Sequence, residues 1–264
     1  MTKKTFALLL VGALFWAASA RAQKLPTPVT VGAERMELLL PTLQGKRIVL
    51  MVNQSSLVGS TGTHLVDTLL SQGINIVRLF VPEHGLRGKV DAGKNVRSGV
   101  DEKTGLPVVS LYGQRKRPTP EMLADIDLLV FDLQDVGTRF YTYISSMHYL
   151  MEACAEEGKT FVVCDRPNPN DFIDGPILEP DCRSFIGVDP LPVAHGMTVG
   201  ELALMIDGER WLRGGNTCHV KVIPMAGWSH GDPYELPVRP SPNLPNSRSI
   251  ELYPSLCFFE ATIM

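Results

Sequence analysis

The run Arg47-Ile48-Val49-Leu50-Met51-Val52 passes directly into the polar Asn53-Gln54-Ser55-Ser56. A continuous apolar stretch with no polar alternation reads as a strand covered on both faces, as in a parallel sheet. The same pattern recurs along the chain. Asn75 to Val81 runs into Pro82-Glu83-His84-Gly85, Asp127 to Leu133 into Gln134-Asp135-Val136-Gly137, and Thr160 to Cys164 into Asp165-Arg166-Pro167-Asn168-Pro169. Val108 to Leu111 and His219 to Ile223 read as further strands.

Helical signals fill the gaps. A helix is expected near Thr63, with Leu65, Val66, Leu69 and Leu70 on one face and Gly73 after its end. Thr119-Pro120-Glu121 reads as an N-cap followed by proline at the first helical position. Phe140, Ile144, Met147, Met151 and Cys154 recur at helical spacing up to Gly158. Thr198-Val199-Gly200-Glu201 is a capping box opening a helix through Ile206. Alternating strands and helices imply an α/β fold with a doubly wound, mostly parallel, Rossmann-like sheet. Six of the residues from 227 to 254 are prolines, so the chain there reads as a wrapping segment or linker with no regular element. The expected divisions are 1–22, 23–226 for the α/β domain, and 227–264.

Residues 1–22 read as an export signal: Lys3 and Lys4, an apolar run from Phe6 to Ala18, and the small-x-small site Ala20-Arg21-Ala22. That run is shorter than the roughly 20 residues of a membrane span. The mature chain is expected to start near Gln23 and to work in the periplasm or outside the cell, with no membrane anchor. Without Lys3, Lys4 and Arg21 the formal charge moves from −3 to −6, which argues against a nucleic-acid partner. Of the five cysteines, Cys154 and Cys164 lie in apolar patterns and read as core residues; Cys182 and Cys218 are candidates for a disulfide.

In an open parallel sheet, ligands bind beyond the carboxyl ends of the strands. Four of the strands end in polar clusters, supplying Asn53, Glu83 with His84, Asp135 with Arg139, and Asp165 with Arg166 and Asn168. Glu83, between an apolar strand and Gly85, suits a carboxylic acid with a raised pKa that donates a proton. Asp135 could orient a sugar, activate water or stabilise positive charge, and its spacing to Arg139 permits a salt bridge if a helix starts there. Arg139 or Arg166 could clamp a substrate carboxylate. Tyr141 and Tyr143 offer a stacking face for a sugar, with core packing as the alternative. Asp132, inside its strand, reads as buried. No dinucleotide or phosphate loop, nucleophile elbow or HExxH spacing occurs, so no cofactor and no metal are expected.

Several long motifs occur in order: Val81-Pro82-Glu83-His84-Gly85-Leu86-Arg87-Gly88, Asp127 through Ile144, Asp165 through Pro169, Gly196 through Ala203, Ser241 through Pro245, and Tyr253-Pro254. On these the sequence resembles the NamZ family of exo-β-N-acetylmuramidases. The resemblance implies release of N-acetylmuramic acid from the non-reducing ends of peptidoglycan fragments, in a cleft between a Rossmann-like domain and a smaller C-terminal domain. It implies Glu83 as the catalytic acid and Asp135, ahead of Asp165, as the second carboxylate. It also gives Arg139 or Arg166 a reason to be present, since muramic acid bears a lactyl carboxylate. Family members continue past the point where this sequence ends, so the second domain is expected to be incomplete. Two alternatives from other classes are a non-catalytic cell-wall sugar-binding protein and a metal-dependent hydrolase using His84, Asp135 and His195.

Overall fold

The computed structural model describes residues 28–59, 61–86, 98–256 and 259; the export signal read over residues 1–22, Arg87, and the sequence beyond 259 fall outside the described residues. One seven-stranded sheet comprises β1 (Arg47–Val52), β2 (Asn75–Val81), β3 (Gly99–Val100), β4 (Pro107–Ser110), β5 (Leu128–Asp132), β6 (Thr160–Cys164) and β7 (His219–Ile223). Its order is β7-β6-β5-β1-β2-β4-β3, parallel throughout except for β3 against β4. The chain builds from β1 to β2 and β4, then returns to the other side of β1 for β5, β6 and β7. That reversal puts the topological switch point between β1 and β5, and folds of this kind bind ligands outside the carboxyl ends of their strands.

The helices are α1 (Met36–Leu43), α2 (Leu65–Ser71), α3 (Pro120–Leu123), α4 (Tyr143–Glu156), α5 (Val199–Gly208) and α6 (Ser247–Leu252). Side chains alternate across each strand, and here both faces are apolar. Val49, Met51, Leu129, Phe131, Phe161 and Val163 pack under α4 and α5. Ile48, Leu50, Val52, Leu128, Val130 and Val162 face α1 and α2. The capping box of α5 forms in both directions: Thr198 Oγ1 accepts from Glu201 N at 3.2 Å, and Glu201 Oε2 accepts from Thr198 N at 2.9 Å.

Four expectations change. Helix α4 begins at Tyr143 instead of Phe140, because Arg139 N donates to Val193 O at 2.8 Å and Tyr141 N to Thr138 O at 2.9 Å, which holds a turn there. The Phe140 ring packs instead on Tyr253, 4.9 Å away between centroids. Helix α1 went unread: it carries Pro41 in its interior, where the missing N–H breaks the usual pattern. The Pro-rich stretch contains a regular element after all, α6, capped by Asn246 Oδ1 accepting from Ser249 N at 3.0 Å. Leu244 and Ile250 from this stretch are buried in the α4–α5 core, so it wraps the sheet. Cys182 and Cys218 do not bond: Cys182 is exposed, while Cys218 sits in the core with Cys154. No helix among the described residues is long and apolar enough to cross a membrane.

Candidate active site

At the carboxyl edge of the sheet lies a cleft of about 990 Å³, lined by residues that follow β2 and β4, by the start of α4, by the 184–186 loop and by the stretch from Ser241 to Leu256. Glu83 and His84 are on its wall. They leave β2 in a tight turn in which Gly85 N donates to Pro82 O at 3.1 Å. His84 has φ 69°, a left-handed conformation that costs a residue with a side chain about 1 kcal/mol or more. The turn is therefore held in place by its surroundings. Tyr112, the second residue after β4, donates its hydroxyl to Glu83 Oε1 at 2.7 Å, so two neighbouring strand ends fix the carboxyl group.

Tyr141 and Tyr143 also line the cleft, but not as an open platform. Their rings meet edge to face at 4.7 Å and are only 7% and 2% exposed, so they form a wall. Both hydroxyls donate to Pro240 O, at 2.9 and 3.3 Å, and Gln54 Nε2 donates to the same carbonyl at 2.9 Å. Burial raises both phenol pKa values above the ordinary range, which keeps them as O–H donors.

Asp135 is not on the cleft wall. It is buried close to the Tyr141 phenol, whose pKa its charge helps to raise. Its Oδ2 accepts from Gly137 N at 2.7 Å and lies 3.1 Å from His195 Nε2. Because His195 Nδ1 accepts from Met197 N, at 3.3 Å, the neutral ring carries its proton on Nε2 and donates it to Asp135. Asp135 is thus loaded on one oxygen, and buried Oδ1 has no hydrogen-bond partner among the described residues. Asn53 is likewise buried, adjoining the Tyr143 phenol. Its Oδ1 accepts from Ser55 N and Oγ at 2.8 and 2.6 Å.

The remaining sequence candidates are engaged inside the fold. Arg166 closes a buried two-pronged pair on Asp132, with Nε–Oδ1 2.6 Å and Nη2–Oδ2 2.9 Å, so it clamps a carboxylate of the protein itself. Arg139 donates Nη1 to the carbonyls of Pro176, at 2.8 Å, and Leu191. With no helix between Asp135 and Arg139, the salt bridge their spacing permits is not what orders them. Asp165 Oδ1 accepts from Gly200 N at 2.8 Å and from Arg166 N at 3.0 Å, anchoring the start of α5; burial raises its pKa against these hydrogen bonds. Asn168 Oδ1 accepts from Asn170 N at 2.9 Å and its Nδ2 donates to Met197 O at 3.0 Å. Strand-end position brings these polar residues to the sheet's carboxyl edge, but it does not tell which turn inward.

Tyr112 and Lys116, both on the cleft wall, had no place among the sequence candidates, and neither did Pro240. Tyr112 was findable, since it follows β4 as Glu83 follows β2. Lys116 and Pro240 reach the site through loops whose course the sequence does not show. Among the described residues no three His, Cys, Asp or Glu side chains gather as a metal-binding set.

The family described as "Exo-beta-N-acetylmuramidase NamZ, N-terminal" matches residues 48–248. The peptidoglycan β-N-acetylmuramidase NamZ of Bacillus subtilis (strain 168) is 43% identical, over 98% of this chain and 66% of that protein. Among solved structures, one DUF1343 family protein of Bacteroides fragilis NCTC 9343 is similar with a TM-score of 0.81 and 46% identity, over 89% of this chain and 63% of that one. A second from the same organism has a TM-score of 0.78 and 39% identity, over 86% and 59%. The chain thus spans 59% to 66% of the length of these relatives. With the motif residues, the parallel sheet and the long family match in agreement, the chain belongs to the NamZ family of exo-β-N-acetylmuramidases.

Proposed function

We propose that this chain carries the acid-catalytic part of an exported, exo-acting glycosidase that removes N-acetylmuramic acid from the non-reducing ends of peptidoglycan fragments during cell-wall turnover. The observation that carries the reading is Glu83, on the wall of a large cleft at the sheet's carboxyl edge with Tyr112 donating to Oε1. The muramidase activity named for the 43% identical relative supports it.

In this reading the protonated Glu83 gives its proton to the glycosidic oxygen as the bond to the anomeric carbon breaks. Water supplies the oxygen that ends on the released sugar, and a proton returns to Glu83. Asp135 acts from behind the tyrosine wall as a fixed negative charge, oriented by His195 and the Gly137 N–H. Such a preorganised charge stabilises the positive character that builds on the sugar ring.

Mass spectrometry of products from defined peptidoglycan fragments tests the exo mode. Free N-acetylmuramic acid with a fragment shortened by one residue is expected; cleavage at internal bonds contradicts it. Export is tested by locating the protein in the cell and sequencing its N-terminus, with a mature start near Gln23 expected and an intact Met1 in the cytosol contradicting it.

A further inference from the structure

We infer that Lys116 recognises the carboxylate of the muramic acid lactyl group and so sets the preference for N-acetylmuramic acid over N-acetylglucosamine ends; this rests on the muramidase reading above. Muramic acid is glucosamine carrying a lactyl ether, and near neutral pH the ether adds one carboxylate. A cation within reach of that group would separate the two sugars by charge. Arg139 and Arg166, the cations that the strand ends suggested, are committed to backbone carbonyls and to Asp132.

Among the described residues that line the cleft, Lys116 is the only lysine or arginine, and Glu83 is the only acid. Other cations of the fold already have acidic partners: Arg78 with Asp125, Lys103 with Asp67, and next in sequence Arg117 with Glu156. Lys116 forms no such pair among the described residues. Its ammonium is held instead 4.4 Å from the centre of the Phe185 ring, also on the cleft wall. That ring is itself fixed by stacking on Tyr149, 6.0 Å away at an interplanar angle of 13°. A cation held by an aromatic face keeps its charge while its hydrogen-bond donors remain available. Holding it in advance lowers the ordering cost of binding an anion. The cleft thus offers the proton donor and a positioned cation to one sugar: the acid for the glycosidic oxygen, the ammonium for the lactyl carboxylate.

The test is calorimetric binding of N-acetylmuramic acid and of N-acetylglucosamine to the full chain, to Lys116→Met and to Lys116→Arg. The unmodified protein should bind the muramic sugar about tenfold tighter, the scale of one charge-assisted contact. Lys116→Met should bring the two sugars level by weakening the muramic sugar alone, and Lys116→Arg should keep part of the preference. The preference should also shrink as salt is added, which a purely structural lysine would not produce. A Lys116→Met protein that keeps the full preference overturns the inference and leaves the muramidase reading standing. An unmodified protein with no preference for the muramic sugar overturns that reading and the inference together.

Discussion

Arg166 and Asp132 show how one residue's partner fixes its meaning. Both side chains are buried, and each cancels the other's charge through two short hydrogen bonds. Removing one member of such a pair leaves an uncompensated buried charge, which costs about 3–5 kcal/mol. Arg166→Met is therefore expected to lower stability by that amount in denaturant unfolding, and a second change, Asp132→Leu, to recover much of it. If Arg166→Met keeps normal stability and loses only substrate binding, the internal role is wrong. Lys116, on the cleft wall with no acidic partner among the described residues, is the opposite case: its removal should be felt in ligand choice and hardly in stability.

The elements that bring these residues together were legible to different degrees. β1, β5 and β6 could be read because a strand buried on both faces is written as a nearly unbroken apolar run, and β2 because only Arg78 interrupts its apolar residues. The α5 capping box was equally plain, being complete within four residues. Glu83, His84, Tyr141 and Tyr143 reached the cleft because their places depend on strand ends close by in sequence. Asp135, Asn53, Asp165 and Asn168 sit at similar strand ends but turn inward, a choice made for three of them by partners 29 to 60 residues away. The turn after β5 makes this concrete. Gly137 has φ +73°, and a Cβ there would stand 2.3 Å from Asn168 Oδ1, while its N–H holds Asp135. Gly137→Ala thus combines a strained backbone with a clash and is expected to cost about 2–3 kcal/mol. Turnover should fall as well, because Asp135 loses its anchor. Unchanged thermal unfolding and activity would contradict this account of the turn.

At the scale of the whole molecule, stability should depend on pH through a buried group away from the cleft wall. His148, on α4, lies 2.8 Å from Asp189 and 3.3 Å from Glu152. Burial pulls its pKa down, but hydrogen bonds and charge from Asp189 and Glu152 outweigh that and raise it to about 9 from an ordinary 6.5. The folded chain therefore holds a proton that the unfolded chain releases. Its contribution is complete below about pH 6.5 and is lost as pH rises through about 9. The denaturant midpoint is expected to decline from pH 7 to above pH 9, and His148→Gln to flatten that decline. His230, half-exposed between Glu201 and Asp171, is also raised to about 9, so the variant is needed to separate the two. A decline of equal depth in His148→Gln would contradict the assignment.

The proposed chemistry of the cleft depends on Glu83 as the proton donor. The direct test is release of the chromophore from a chromogenic N-acetylmuramic acid β-glycoside by the protein and by Glu83→Gln, with folding of the variant checked by circular dichroism. The account predicts release by the unmodified protein and a loss of at least about 100-fold in the variant, the scale of one general acid, with sugar binding retained. Near-normal release by a folded Glu83→Gln protein would contradict it and require a proton donor other than Glu83.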